Sequence, residues 1–202
     1  MGRVIRLKEW ESRGTVGHAR ALLGKYLVRR HPGATTQAWL ITEVEAYDGE
    51  RDLACHAAKG RTRRTETLYG PGGHWYVYLC YGVHEMLNLV VGPSGWPAAV
   101  LIRGVDGISG PGRLTRALGI DRSLDGAAAQ PASGLWLEDR GDSPAPRRIC
   151  ASPRIGVAYA GPVWAGKLWR FTFEPRPPVG PRRRERDSAA GSLPGSPRRS
   201  RN

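Results

Sequence analysis

The residues of this chain whose types and spacing suit chemistry lie in two short segments. One is a carboxylate cluster, Glu43-Val-Glu-Ala-Tyr47; the other is an aromatic run ending at a glycine, Tyr76-Val-Tyr-Leu-Cys-Tyr-Gly82. A strand carboxylate with a reference pKa near ~4.3 is ionised at neutral pH and can take a proton from water. Tyrosine faces hold a flat ring by stacking. Both segments sit in a chain of 202 residues with 31 Lys and Arg against 18 Asp and Glu, a net charge of +13. Such an excess attracts a polyanion or an anionic membrane surface, or is simply a solvated basic face. Together the two segments and the charge suggest an enzyme working on a nucleic-acid base.

Composition narrows the classes further. No run approaches the ~18 apolar residues of a membrane span, and the N-terminus lacks the apolar core of a signal peptide, so no membrane partner is expected. Cys55, Cys80 and Cys150 form no C-x-x-C pair. That argues against a disulfide scaffold and a zinc site, and it suits an intracellular protein without a metal. From Pro175 onward Pro, Arg, Ser and Gly dominate, with only Val179 and Leu193 to offer a core. Residues 175–202 are therefore expected to form a disordered basic tail, either a phosphate tether or a solubilising end. That tail holds eight arginines against Glu185 and Asp187, so the remaining excess belongs to residues 1–174.

The elements that must position the two segments follow from periodicity. Ala19, Leu22, Leu23, Tyr26 and Leu27 share the face of a helix over 17–30, with Arg29 and Arg30 at its C-terminal dipole. Residues 38–47 alternate as a strand, with Trp39, Ile41, Glu43, Glu45 and Tyr47 on one face and Leu40, Val44 and Ala46 on the other. Residues 75–79 and 84–91 form a hairpin whose turn uses Gly82 for a positive φ. A further strand over 97–105 carries Arg103. Gly110-Pro-Gly-Arg-Leu114 turns into a helix over 114–119, whose free amides suit a phosphate. Residues 125–134 form a surface loop, and 152–173 supply Ile155, Val157, Val163, Leu168, Trp169, Phe171 and Phe173 to the core, a structural role. The fold class expected is α+β, a single compact domain over 1–174 with a curved, mostly antiparallel sheet and surrounding helices.

The string Thr42-Glu-Val-Glu-Ala-Tyr47, Asp52 with His56, Gly60-x-Thr62-x-Arg64, Tyr76-Val-Tyr-Leu-x-Tyr-Gly82, Asn88 and Val100-Leu-Ile-Arg103 resembles the alkyladenine, or 3-methyladenine, DNA glycosylase family. Leu22-Leu-Gly-Lys25, Gly110-Pro-x-Arg-Leu114 and Pro153-Arg-Ile-Gly156 extend the likeness over about Ala19 to Phe173. The resemblance implies a cofactor-free, monofunctional enzyme that excises alkylated or deaminated purines from double-stranded DNA. Glu45 would activate water, with Glu43 on the same face as its competitor, and Arg103 would orient the water or the target phosphate. Tyr47, His56 and Tyr78 would sandwich the flipped base, and Asn88 would reject the exocyclic amine of guanine. Tyr81, at the tip of a DNA-inserting β-hairpin, would fill the gap in the duplex, braced by Val83 and His84, while Arg64 and Arg113 grip phosphates. A minor-groove plug needs one copy, so a monomer is expected.

Each of these residues also has a plainer reading: Glu45 as a strand carboxylate paired to an arginine, the aromatics as core, Asn88 as a strand-edge amide. Two other classes compete. A non-enzymatic nucleic-acid-binding module would explain the charge but not Glu45 among aromatics. A glycosylase/lyase would need an amine nucleophile, and neither Lys25 nor Lys59 sits in a motif that would depress its pKa. Thr65 stands where the family commonly has Asn, and Leu68-Tyr69 where it has Met-Phe, which bears on substrate range. The Arg, Ala, Gly and Pro-rich composition and the short N-terminus point to a bacterial cytoplasm, with Arg182-Arg-Arg184 as a weak nuclear signal if the source is eukaryotic.

Overall fold

One twelve-residue strand organises the molecule. The computed structural model describes residues 2–175. In chain order its elements are β1 (Arg3–Val4), α1 (Thr15–Leu22), β2 (Tyr26–Arg29), β3 (Gln37–Asp48), β4 (Trp75–Cys80), β5 (His84–Val91), β6 (Ala98–Val105), β7 (Ile108–Ser109), α2 (Pro111–Ala117), β8 (Leu135–Asp139), β9 (Cys150–Ser152), α3 (Gly161–Ala165) and β10 (Arg170–Thr172). The main path of the sheet runs β1-β8-β2-β3-β6-β5-β4, with β10 on β3 and β9 on β10, every pair antiparallel. The first part of β3 pairs with β2 and the later part, around Glu43 to Glu45, with β10. Two partners on one strand edge oblige the sheet to curl, and the result is the expected α+β domain with few helices.

Period-two alternation gives the two faces of this sheet different tasks. Val44, Ala46, Leu87, Leu89, Val100 and Ile102 point to the main core, where Ala19 and Leu22 of α1 and Leu114 of α2 cover them. Leu22, Leu87, Leu89 and Leu114 are fully buried. Each contributes about 1.5–3 kcal/mol by leaving water. The intervening residues Tyr47, Tyr76, Tyr78, Val90 and Ala99 face the other way and cluster with Cys55, Ala57 and Leu68. That second face carries the candidate site.

Four expectations are corrected. The helix over 17–30 stops at Leu22: Leu23 is extended, Gly24 takes φ +80°, and Tyr26 to Arg29 pair with both β3 and β8. A Cβ on Gly24 would stand 2.1 Å from the Asp142 carbonyl oxygen, so the chain turns where only glycine fits. Arg29 serves a different helix terminus, donating from Nε and Nη2 to the carbonyls of Leu118 and Gly119 at the end of α2. That helix begins at Pro111, earlier than expected, because proline suits a first-turn position. Third, β3 and β6 shift register between Ile41 and Val44, so Ile41 joins Val44 in the core instead of sharing a face with Glu43. Fourth, Ile155, Val163 and Leu168 are 51%, 68% and 55% exposed and do not close the core.

The strands expected over 75–79 and 84–91 are β4 and β5, which pair from Trp75↔Leu89 to Cys80↔His84. The turn end of this hairpin is held by α2: a Cβ on Gly112 would stand 2.8 Å from His84 Nδ1, and Thr115 Oγ1 donates to the Glu85 carbonyl. The tail expected from Pro175, with Arg182 to Arg184, lies outside the described residues apart from Pro175 itself. Among the described residues no helix is long and apolar enough to cross a membrane.

Candidate active site

A cavity of about 720 Å³ opens on the second face of the sheet. Tyr47 from β3, Tyr76 and Tyr78 from β4, Asn88 from β5 and Arg103 from β6 reach it by the same alternation, and His56 enters from the 3-10 turn over His56–Lys59. His56 lies edge-on to Tyr78, with centroids 4.5 Å apart, and its Nδ1 shares a 3.0 Å hydrogen bond with the Tyr76 hydroxyl. Asn88 spends its amide hydrogens on the carbonyls of Tyr76 and Met86. What it keeps to offer is the acceptor Oδ1. Arg64 stands over the Tyr78 ring at 5.4 Å.

Glu45 does not line the cavity; it lies fully buried behind a wall made by Tyr47, Arg103 and Ile155. Its Oε2 accepts the Tyr47 hydroxyl at 2.8 Å and Arg103 Nη1 at 3.4 Å, and its Oε1 accepts the Ile155 amide at 2.8 Å. A carboxylate offers about four lone-pair sites. Three are engaged by the described groups, two on Oε2 and one on Oε1, which leaves one site on Oε1 that no described group fills. Burial holds the Glu45 pKa above the ordinary 4.5, opposed by the charge of Arg103. Burial and the adjacent Glu45 charge push the Tyr47 phenol well above its ordinary range, so it keeps its proton. Glu43 is engaged elsewhere, accepting Arg103 at 3.0 Å and Arg170 at 2.6 Å on one oxygen.

Burial and the positive charges of Arg64 and Lys59 bring the His56 pKa down to about 4, which leaves the ring neutral at pH 7. Below the ordinary value of 6.5 an unfolded His56 takes a proton that the folded one refuses until about pH 4. Its contribution to stability is complete above pH 6.5 and is lost as pH falls towards 4. Thermal midpoints across that window should fall more steeply for the natural chain than for His56→Gln; parallel slopes would refute the neutral ring.

Tyr81 sits at the hairpin tip beside the cavity mouth, 92% exposed, and is the one non-glycine residue with positive φ, +50°, among those described. Val83 is 66% exposed next to it. His84, where β5 leaves the turn, and Arg113 on α2 are exposed, and like Val83 they do not line the cavity.

The family model described as Methylpurine-DNA glycosylase (MPG) matches residues 9–108 and 105–177. The chain belongs to that family. A relative from Methanocella arvoryzae, named provisionally as a 3-methyladenine DNA glycosylase, is 43% identical over 195 residues, covering 87% of this chain and 95% of its own. Relatives carrying the same name in Anaeromyxobacter sp. and Legionella pneumophila are 45% and 42% identical, covering 83% and 85% of this chain and 88% and 95% of theirs.

For this DNA glycosylase family member, sequence reasoning missed the segment behind Glu45. Arg154 is buried, paired with Asp52 through both oxygens at 2.5 and 2.8 Å, and bonded to the carbonyls of Ala46 and Trp164. Its guanidinium also stacks on Tyr47 at 4.7 Å and Trp169 at 5.1 Å. Ile155 then delivers its amide to Glu45, and Tyr159 caps the Ala54 carbonyl at the cavity edge. The segment read as structural therefore builds one wall of the site. Pro153-Arg-Ile-Gly156 stood in the resemblance, but nothing local marks a backbone amide as a partner of a distant carboxylate. Among the described residues no three His, Cys, Asp or Glu side chains converge as metal ligands.

Proposed function

We propose that this protein removes alkylated or deaminated purines, of the 3-methyladenine and hypoxanthine class, from double-stranded DNA by hydrolysing the N-glycosidic bond. The observation that carries the reading is Glu45, a buried carboxylate with three fixed donors and one remaining acceptor site beside an aromatic cavity. In the proposed step the water oxygen bonds to the anomeric carbon of a flipped nucleotide. The bond to the base breaks with its electron pair going to the leaving nitrogen, and Glu45 takes the water proton. An N3-methylated adenine is cationic while attached and leaves neutral, so its departure needs no acid. The charge of Glu45 opposes the positive charge that builds on the sugar.

Tyr47, His56 and Tyr78 would stack or edge onto the flipped base, and an electron-poor alkylated purine gains most from such faces. A neutral His56 adds no repulsion to a cationic base. Asn88, its amide fixed to the hairpin, would occupy the space that the exocyclic amine of guanine needs. Arg103 would orient water or phosphate, and Arg64 and Arg113 would contact the DNA backbone.

Tyr81 would fill the gap in the duplex, supported by Val83 and His84. Its positive φ costs about 1–2 kcal/mol in a non-glycine residue, a strain suited to an exposed side chain that meets a partner. Tyr81→Gly should leave the thermal midpoint unchanged or raised. Affinity for lesion-containing duplex should fall by about 5- to 150-fold, the equivalent of the ~1–3 kcal/mol of base–aromatic stacking. Unchanged affinity would remove Tyr81 from the interface.

The test of the function is release of hypoxanthine and 3-methyladenine from defined duplexes under single-turnover conditions, with borohydride present in a parallel reaction. Release of either base without a trapped protein–DNA adduct is the expected result. An adduct would make the enzyme a lyase, and DNA binding without release would make it a binding module.

A further inference from the structure

Arg103 stands between two carboxylates of β3, and its contact with the inner one is the long one. Nε donates to Glu43 Oε1 at 3.0 Å, whereas Nη1 reaches Glu45 Oε2 at 3.4 Å. Glu43 Oε1 also accepts Arg170 Nε at 2.6 Å, and Arg170 Nη1 is fixed to Ser152 Oγ at 3.1 Å. The Glu43 side chain is 11% exposed, so this is a sheltered set of charges. The local backbone is shaped for it. The register of β3 against β6 shifts on both sides of Glu43 and passes over Arg103, and such irregularities re-aim side chains next to active sites. Gly104 leaves room for the outer carboxylate and for β7, because a Cβ there would stand 3.3 Å from both Glu43 Cβ and the Ile108 carbonyl oxygen and 3.4 Å from Glu43 Oε2.

We infer that Glu43 is a positioning residue for base release: it holds the Arg103 guanidinium back from Glu45, so that the inner carboxylate keeps a lone pair for the attacking water. The inference rests on Glu45 as the general base. A guanidinium left with one carboxylate pairs with it through two parallel hydrogen bonds at about 2.7–2.9 Å. If Arg103 closed on Glu45 in that way, it would take the acceptor site that the Tyr47 hydroxyl, the Ile155 amide and the present Arg103 contact leave open. Glu43 prevents this by offering Nε a stronger partner, and Arg170 and Ser152 keep Glu43 from following Arg103 inward.

The groups facing Glu45 fix the direction of the effect. Arg103 comes from β6, Glu43 and Tyr47 from β3 itself, and Arg154 with the Ile155 amide from the segment after β9. Arg170, opposite Glu45 in register on β10, turns its guanidinium to Glu43. Removing the Glu43 charge withdraws a like charge from Glu45 and frees an opposite one to approach it. Both changes favour the ionised base. A carboxylate so stabilised is a weaker proton acceptor, and it has less room for water.

The experiment is the pH profile of single-turnover hypoxanthine release for the natural chain, Glu43→Gln, Gly104→Ala and Glu45→Gln. For Glu43→Gln the acid limb should move down by roughly one pH unit. Its plateau rate should fall about tenfold or more, within the range of general-base effects. The apparent affinity for lesion DNA should hold within about threefold. Gly104→Ala, which keeps both charges and displaces the outer carboxylate, should shift the limb the same way by a smaller amount, and it serves if Glu43→Gln fails to fold. An acid limb that stays in place in the folded variants overturns the proposal and assigns Glu43 to stability alone. An active Glu45→Gln, or a natural chain without an acid limb, fails the general-base reading itself and is distinguishable from that outcome.

Discussion

Glu45→Gln is expected to slow single-turnover base release by about 10²- to 10⁴-fold, the range of a lost general base, while lesion-DNA affinity stays within a few-fold. The amide should retain most of the local structure. Its carbonyl oxygen can accept the Ile155 amide, and its nitrogen can donate to the Tyr47 hydroxyl, which rotates to accept. The contact given up is the 3.4 Å one from Arg103, whose Nε remains with Glu43. A loss of activity with a near-natural thermal midpoint therefore reports on chemistry. In the natural chain, burial lifts the Glu45 pKa, so the acid limb should lie above the ordinary 4.5. A general base at this position would work above that limb and be silenced by protonation below it. Substantial turnover by Glu45→Gln would transfer the reaction to another group, with Glu43 the first to test.

The alternation that made Glu45 and Tyr47 neighbours was readable from β3 because both lie beyond the irregularity in its pairing with β6. Ile41 was misplaced for the same reason: a one-residue shift moves a side chain to the opposite face, and composition does not announce where a bulge falls. The helix over 17–30 failed differently. Leu22, Leu23 and Leu27 fit helical spacing, yet Leu27 and Val28 are both fully buried in a strand flanked by β3 and β8. A short apolar run buried on both faces cannot be told from a helix by spacing alone. Gly24 was the available clue, since its φ of +80° ends the helix. The aromatic side chains that line the cavity, and the carboxylate behind its wall, were legible as residue types. The wall behind Glu45 was not, because it is made by a backbone amide and by an arginine whose partner, Asp52, lies 102 positions away in sequence.

Arg154→Met should lower stability by about 3–5 kcal/mol, because it leaves the buried Asp52 charge without its partner. In a chain of this size that corresponds to a thermal midpoint roughly 6–20 °C lower. Both side chains are fully enclosed, so solvent cannot compensate. Asp52 also accepts the amides of Asp48 and Ala54, which shape the turn leading to His56. The double variant Asp52→Asn/Arg154→Met removes both charges and keeps an acceptor for one of those amides, so it should recover part of the loss; no recovery would show that the ion pair is not the cause. The consequence for the site goes beyond folding. Arg154 stacks on Tyr47 and precedes the residue whose amide holds Glu45, so even the folded fraction of Arg154→Met should release bases more slowly than the natural chain. Rates per folded molecule equal to those of the natural chain would confine Arg154 to stability. A deficit that persists in the stabilised double variant would tie the buried arginine to the placement of Tyr47 and the Ile155 amide around Glu45.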